Sequence, residues 1–233
     1  YLETRGNDAE SDCMACDAGK YSVINGSSSN TTCLDCPRGT YLETRGNDAE
    51  SDCMACDEGK YSVINGSSSN TTCLDCPPGT YLETRGNDAE SDCMACDAGK
   101  YSVINGSSSN TTCLDCPRGT YLETRGNDAE SDCMACDAGK YSVINGSSSN
   151  TTCLNCPAGT YLETKGNDAL SDCMACAAGK YSVINGSSSN TTCLDCPRGT
   201  YLETRGNDAE SDCMACDAGK YSVINGSSSN TTC

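Results

Sequence analysis

The sequence predicts a small disulfide-rich β fold: tandem 20-residue hairpin or loop units, paired into a 40-residue double repeat and stacked into an elongated rod or solenoid. Three observations predict it. Of 233 residues, 23 are cysteine, and they fall as C-x2-C pairs that recur every twenty residues. There is no Phe, Trp or His, and a forty-residue stretch offers only Leu2, Met14, Val23, Ile24 and Leu34 with two tyrosines as core material. No stretch shows the 3.6-residue apolar period of a helix, whereas turn signals recur throughout.

The shortage of apolar side chains is decisive. Burial is worth roughly 25 cal/mol per Å², and so few groups do not offset about 1 to 2 kcal/mol of backbone entropy for each ordered residue. Oxidised cysteines supply the missing constraint by removing entropy from the unfolded chain. Their density points to an extracellular compartment.

Two periods are superimposed. The phrase YLET[RK]GNDA opens at Tyr1, Tyr41, Tyr81, Tyr121, Tyr161 and Tyr201, a period of forty. Aligning CMACDAGKYSVINGSSSNTT (13–32) with CLDCPRGTYLETRGNDAESD (33–52) gives C-x2-C-x2-G-x-Y-x4-G-x6 in both, a period of twenty in two alternating flavours. The repeats then run 13–32, 33–52, 53–72, 73–92, 93–112, 113–132, 133–152, 153–172, 173–192, 193–212 and 213–233, after a partial repeat at 1–12. Starting in mid-repeat at Tyr1 and stopping on Cys233, the sequence reads as a window on a longer array. Copies differ at few places, notably Glu58, Pro78, Asn155, Ala158, Lys165, Leu170 and Ala177.

Local signals are those of turns. Cys36-Pro37-Arg38-Gly39 suits a type I turn, Asn25-Gly26 between SVI and SSS is a hairpin signal, and Gly46-Asn47 reverses the other flavour. Tyr21 or Tyr41 is expected to pack on a neighbouring disulfide and glycine. In a stacked array each repeat touches only its neighbours.

Two pairings fit the cysteine spacing. In one, the second cysteine of each pair joins the first of the next: Cys16 with Cys33, Cys36 with Cys53, Cys56 with Cys73, Cys76 with Cys93, Cys96 with Cys113, Cys116 with Cys133, Cys136 with Cys153, Cys156 with Cys173, Cys176 with Cys193, Cys196 with Cys213 and Cys216 with Cys233. In the other, pairs interlock, Cys13 with Cys33 and Cys16 with Cys36. The twenty-residue period favours the first, and both remain open at this point.

NGSSSNTTC at 25–33 carries two Asn-x-Ser/Thr sequons, and the motif recurs in one flavour of repeat. The acceptors are Asn25, Asn30, Asn65, Asn70, Asn105, Asn110, Asn145, Asn150, Asn185, Asn190, Asn225 and Asn230. Sequons and oxidised cysteines belong to one secretory route, so covalent N-glycans are the expected attachment. Neighbouring serines and threonines are candidates for O-linked sugar.

Other chemistry has less support. C-x2-C-x16-C-x2-C matches tetrathiolate zinc spacing, but a uniform array without histidine singles out no site. A thioredoxin-like role for CMAC lacks its βαβ setting. Asp8, Glu10 and Asp12, with their equivalents, could bind calcium weakly, although the loop lacks the glycine and final glutamate of an EF-hand. Without a base or nucleophile pair no enzyme is expected. The net charge of -18 argues against nucleic acid and anionic membranes as partners. The sequence shows no signal peptide and no apolar run long enough to span a bilayer, so no direct membrane insertion is expected of this segment.

The run CLDCPRGTYLETRGNDAESDCMACDAGKYSVINGSSSNTTC resembles the cysteine-rich repeats of the ephrin-receptor-like and tumour-necrosis-factor-receptor-like families, whose units read C-x2-C-[P]-x-G-[TK]-Y. Such repeats also occur in large surface glycoproteins of microbial eukaryotes. The resemblance covers the whole chain. It implies rod-like extracellular stacks and, from the receptor family, the first pairing. The functional expectation is a structural, cell-surface glycoprotein: a cross-linked scaffold of a glycan-coated fibril, filament or appendage, self-associating in one version. The alternative is the stalk or ligand-binding ectodomain of a surface receptor or adhesin.

Overall fold

A computed structural model describes residues 1, 2, 9 and 13–233. Each repeat from 13–32 to 193–212 contributes a two-residue strand ending in its tyrosine, then a loop, a single 3-10 turn and a second two-residue strand just past the next cysteine. Thus Lys20–Tyr21 pairs antiparallel with Leu34–Asp35, with Tyr21 opposite Leu34. In the other flavour Thr40–Tyr41 pairs with Met54–Ala55 in the same register. Between them lie the 3-10 turns Asn30–Thr32 and Glu50–Asp52. Ser29 caps the first by accepting the Thr31 N–H, and Asp52 folds back in the second to accept the Ala49 N–H at 3.2 Å.

The hairpin differs from the Asn25-Gly26 expectation. Those two residues do form a turn, with Gly26 at φ 72°. Their flanks pair elsewhere, because the backbone after Tyr21 is taken by the next repeat: the Ser22 N–H bonds to the Asn47 carbonyl, and Tyr21 bridges Asn47 in parallel. The strand partner lies instead beyond Cys33.

The type I turn at 36–39 is also corrected. The turn spans Pro37 to Thr40, closed by the Thr40 N–H on the Pro37 carbonyl, and Gly39 has φ 78°. A positive φ at the third position is the type II pattern, which glycine satisfies without steric cost.

The core is made of cystine, tyrosine and one leucine. Tyr21, Cys36 and Leu42 form one buried cluster with Cys53 against it, and Tyr61, Cys76, Leu82 and Cys93 form its equivalent forty residues on. Tyr21 therefore does pack on the neighbouring disulfide. Val23, Ile24, Leu34 and Met14, counted as core material from the sequence, lie exposed. Two-residue strands bury too little surface to cover them.

Successive repeats exchange backbone hydrogen bonds at fixed offsets. The Gly19 N–H bonds to Leu42 O, Leu42 N–H to Ser67 O, and Gly46 N–H to Cys16 O. The expectation that each repeat touches only its neighbours fails at the glycine that precedes the strand, at Gly19, Gly39, Gly59, Gly79 and their equivalents as far as Gly179. A Cβ on Gly59 would meet the Gly106 carbonyl oxygen at 2.2 Å, so repeat 53–72 lies against repeat 93–112, the next but one. With no side chain at Gly59, the two backbones come together past the intervening repeat.

The chain divides into two compact parts, one of Tyr1–Asp97, Tyr101–Leu114 and Arg125–Ala129, the other of Ala98–Lys100, Asp115–Thr124 and Glu130–Cys233. Each is built from the same pattern.

Candidate functional site: the cross-linked, sequon-bearing repeat

The sulfurs join as Cys16–Cys33, Cys36–Cys53, Cys56–Cys73 and onward to Cys216–Cys233, eleven disulfides with sixteen residues between partners. Cα separations of 5.6 to 5.8 Å lie in the ordinary disulfide range. Interlocked pairing would need Cys13 bonded to Cys33, and Cys13 is free and exposed. With these sulfurs paired, Cys13 is the one C-x2-C cysteine left with a free thiol, and no two motifs can form a tetrathiolate site. Among the described residues no group of three or more His, Cys, Asp or Glu is placed to hold a metal ion.

Both sequons of a repeat lie on the loop that the disulfide closes. Asn65 sits on the exposed Asn-Gly turn and Asn70 opens the 3-10 turn, also exposed; the same holds in every copy. Their third residues behave differently. Ser67 is buried, and its hydroxyl donates to the Ser69 carbonyl and lies 2.5 Å from the Thr72 hydroxyl. The same contact recurs between Ser107 and Thr112, Ser147 and Thr152, and Ser187 and Thr192. The hydroxyls that define the two sequons are thus bonded to one another.

A carboxylate of the preceding repeat anchors the second acceptor. Glu83 Oε1 accepts the Asn110 backbone N–H at 3.2 Å, and Glu123, Glu163 and Glu203 do the same for Asn150, Asn190 and Asn230. Nothing in the sequence signals this contact, since the partners are 27 residues apart.

In the flavour without sequons, glutamate stands where the second asparagine would be. The Tyr21 hydroxyl donates to Glu50 Oε2 at 3.2 Å, and Tyr61 and Tyr181 bond to Glu90 and Glu210 likewise. Burial first, then the hydrogen bond and charge of Glu50, raise the Tyr21 hydroxyl above its ordinary pKa. In the fifth copy Leu170 occupies this place and offers Tyr141 no acceptor.

The calcium candidates Asp8, Glu10 and Asp12 lie outside the described residues. In the equivalent loop, Glu50 is engaged by Tyr21 and Asp52 by the Ala49 backbone. Ion pairs such as Lys60–Asp75 at 2.5 Å are solvent-exposed and contribute little.

These features define a class: a tandem array of cystine-closed β loops. The model of the family described as tyrosine-protein kinase ephrin type A/B receptor-like matches residues 4–53, 44–93, 84–133, 104–153, 124–173, 164–213 and 186–233. The chain belongs to that family of cysteine-rich repeats. No curated protein is significantly similar to it. Family and disulfides together point to an extracellular or secreted cysteine-rich repeat scaffold. No helix among the described residues is long and apolar enough to cross a membrane.

Proposed function

We propose that the chain is a structural segment of an extracellular glycoprotein, a disulfide-stapled scaffold for a glycan-coated surface fibril or appendage. The cystines hold the array together, and N-glycans on the Asn25 and Asn30 series cover it. The observation that carries this reading is the constant setting of the sequons: every acceptor asparagine is exposed, on a loop closed by a disulfide, in alternate repeats. Sugar at that spacing would shield exposed Val63 and Ile64 and the short strand edges from lateral aggregation. Repeats that hand backbone bonds to one another can be multiplied without redesign, which suits an elongated element. The role asks for no catalysis.

The test is secretion from eukaryotic cells followed by peptide mapping before and after enzymatic removal of N-glycans. The reading expects sugar on both series of asparagines. Bare asparagines throughout would overturn it.

A further inference from the structure

Beside the second sequons at Asn30, Asn70 and Asn150 lie clefts that glycosylation alone does not account for. Tyr41, Asp57, Lys60, Asn70, Thr71 and Cys73 line one of about 350 Å³. The same residue positions form one of about 270 Å³ from Tyr1 to Cys33, and one of about 380 Å³ around Tyr121 and Asn150. Such volumes suit a small ligand, near the lower end of the usual range of about 300–1,000 Å³.

The two flavours explain the cleft. Tyr41 stands twenty residues after Tyr21, and Asn70 twenty after Glu50. Where glutamate is present its carboxylate reaches the tyrosine hydroxyl. Asparagine is a methylene shorter and leaves the space before Tyr41 open to whatever its own amide carries. Tyr41 is only half-buried, whereas Tyr21 is buried. Glu43, two residues past Tyr41, accepts the Asn70 backbone N–H at 3.4 Å, so the acceptor backbone is fixed beside the ring.

We propose that this cleft is a seat for an N-acetylhexosamine, the first sugar of the glycan on Asn70 and its equivalents Asn30, Asn110, Asn150, Asn190 and Asn230. The inference rests on the proposed glycosylation. The C–H face of a pyranose is apolar and weakly positive, and it suits the negative face of the Tyr41 ring. Lys60 spends one N–H on Asp75 and retains two for the acetamido oxygen, while the Asp57 carboxylate, 3.5 Å from Arg85, keeps lone pairs that can accept from a sugar hydroxyl; beside Asn190 the corresponding residue is Ala177, and the seat there lacks this acceptor. The sugar thereby does for one flavour what the glutamate side chain does for the other, bridging consecutive repeats. The sugar on Asn65, on an exposed turn, has no such seat.

The test uses the secreted protein, trimmed with an endoglycosidase that leaves one N-acetylglucosamine on each asparagine, with isotope-labelled acetyl groups. Peptide mapping first establishes which asparagines carry sugar. The proposal expects two families of acetyl-methyl NMR signals, one displaced upfield by an aromatic ring and lost when Asn70 and its equivalents are changed to Gln, the other unmoved. Replacing Tyr41 and its equivalents with Leu should return the displaced family to the free-sugar position. Sugar present on the Asn70 series with a single family at the free-sugar position would overturn the seat while leaving glycosylation intact. Bare Asn70-series asparagines beside glycosylated Asn65-series ones would overturn the seat and that half of the glycan assignment.

Discussion

The hydroxyls of Ser67 and Thr72, the third residues of two sequons in one loop, lie 2.5 Å apart, with Ser67 buried. An enzyme that recognises Asn-x-Ser/Thr must reach that hydroxyl, and the folded loop withholds both. If Asn65 and Asn70 carry sugar, as proposed, its transfer has to precede closure of the Cys56–Cys73 loop. In vitro, the reduced and alkylated chain should accept oligosaccharide at Asn65 and Asn70, whereas the oxidised chain should be refractory. Equal modification of the two forms would contradict this order.

The close approach at Gly59 makes a sharp contrast with Gly86. Both have positive φ, but a Cβ at Gly86 would make only an ordinary contact with Ala55 Cβ at 3.5 Å, whereas one at Gly59 meets Gly106 O at 2.2 Å. Gly86→Ala should cost about 1 to 2 kcal/mol from the backbone conformation alone. Gly59→Ala should cost clearly more and loosen repeat 93–112 as well, read as faster amide exchange in both segments. Equal effects of the two substitutions would show that the backbones do not touch.

The Tyr–Glu bond between repeats gives a repair experiment. Leu170→Glu should restore an acceptor to Tyr141 and add about 0.5 to 1.5 kcal/mol of local stability. The control is Glu90→Leu, which should remove a comparable amount around Tyr61, whose hydroxyl donates to Glu90. Urea titration followed by amide exchange at these two tyrosines measures both.

The same bond sets a pH dependence. The Tyr21, Tyr61 and Tyr181 hydroxyls have raised pKa values in the folded chain, so the folded state holds those protons after the unfolded state has lost them. Their contribution is complete below the ordinary tyrosine value of about 10 and declines as pH rises past it. Melting of Cys13-alkylated protein between pH 8 and 11 should show a loss above pH 10 that is reduced when these tyrosines are changed to Phe.

Much of the fold was legible because cysteine spacing is a local pattern: the twenty-residue period, the C-x2-C pairs and the glycine-tyrosine strand ends all recur within a few residues. What was not legible lies between repeats. Asn25-Gly26 reads as a hairpin until the Ser22 N–H is seen to bond to Asn47, and Val23 and Ile24 read as core until cystine and Leu42 fill that place. Glu43 and Asn70 carry no shared motif, and near-identical copies leave no variation that would tie one to the other. Only Leu170, one of the few departures between copies, falls at the place of the Tyr–Glu bond.

The most direct measurement is mass spectrometry of proteolytic peptides from secreted, unreduced protein, read for disulfide linkage and attached sugar together. The account predicts peptides joining Cys56 to Cys73 that carry N-acetylhexosamine on Asn65 and Asn70, with no free thiol in that loop. Bare asparagines together with cysteines recovered as thiols would contradict it and remove the cross-linked, sugar-coated scaffold as an explanation of the chain.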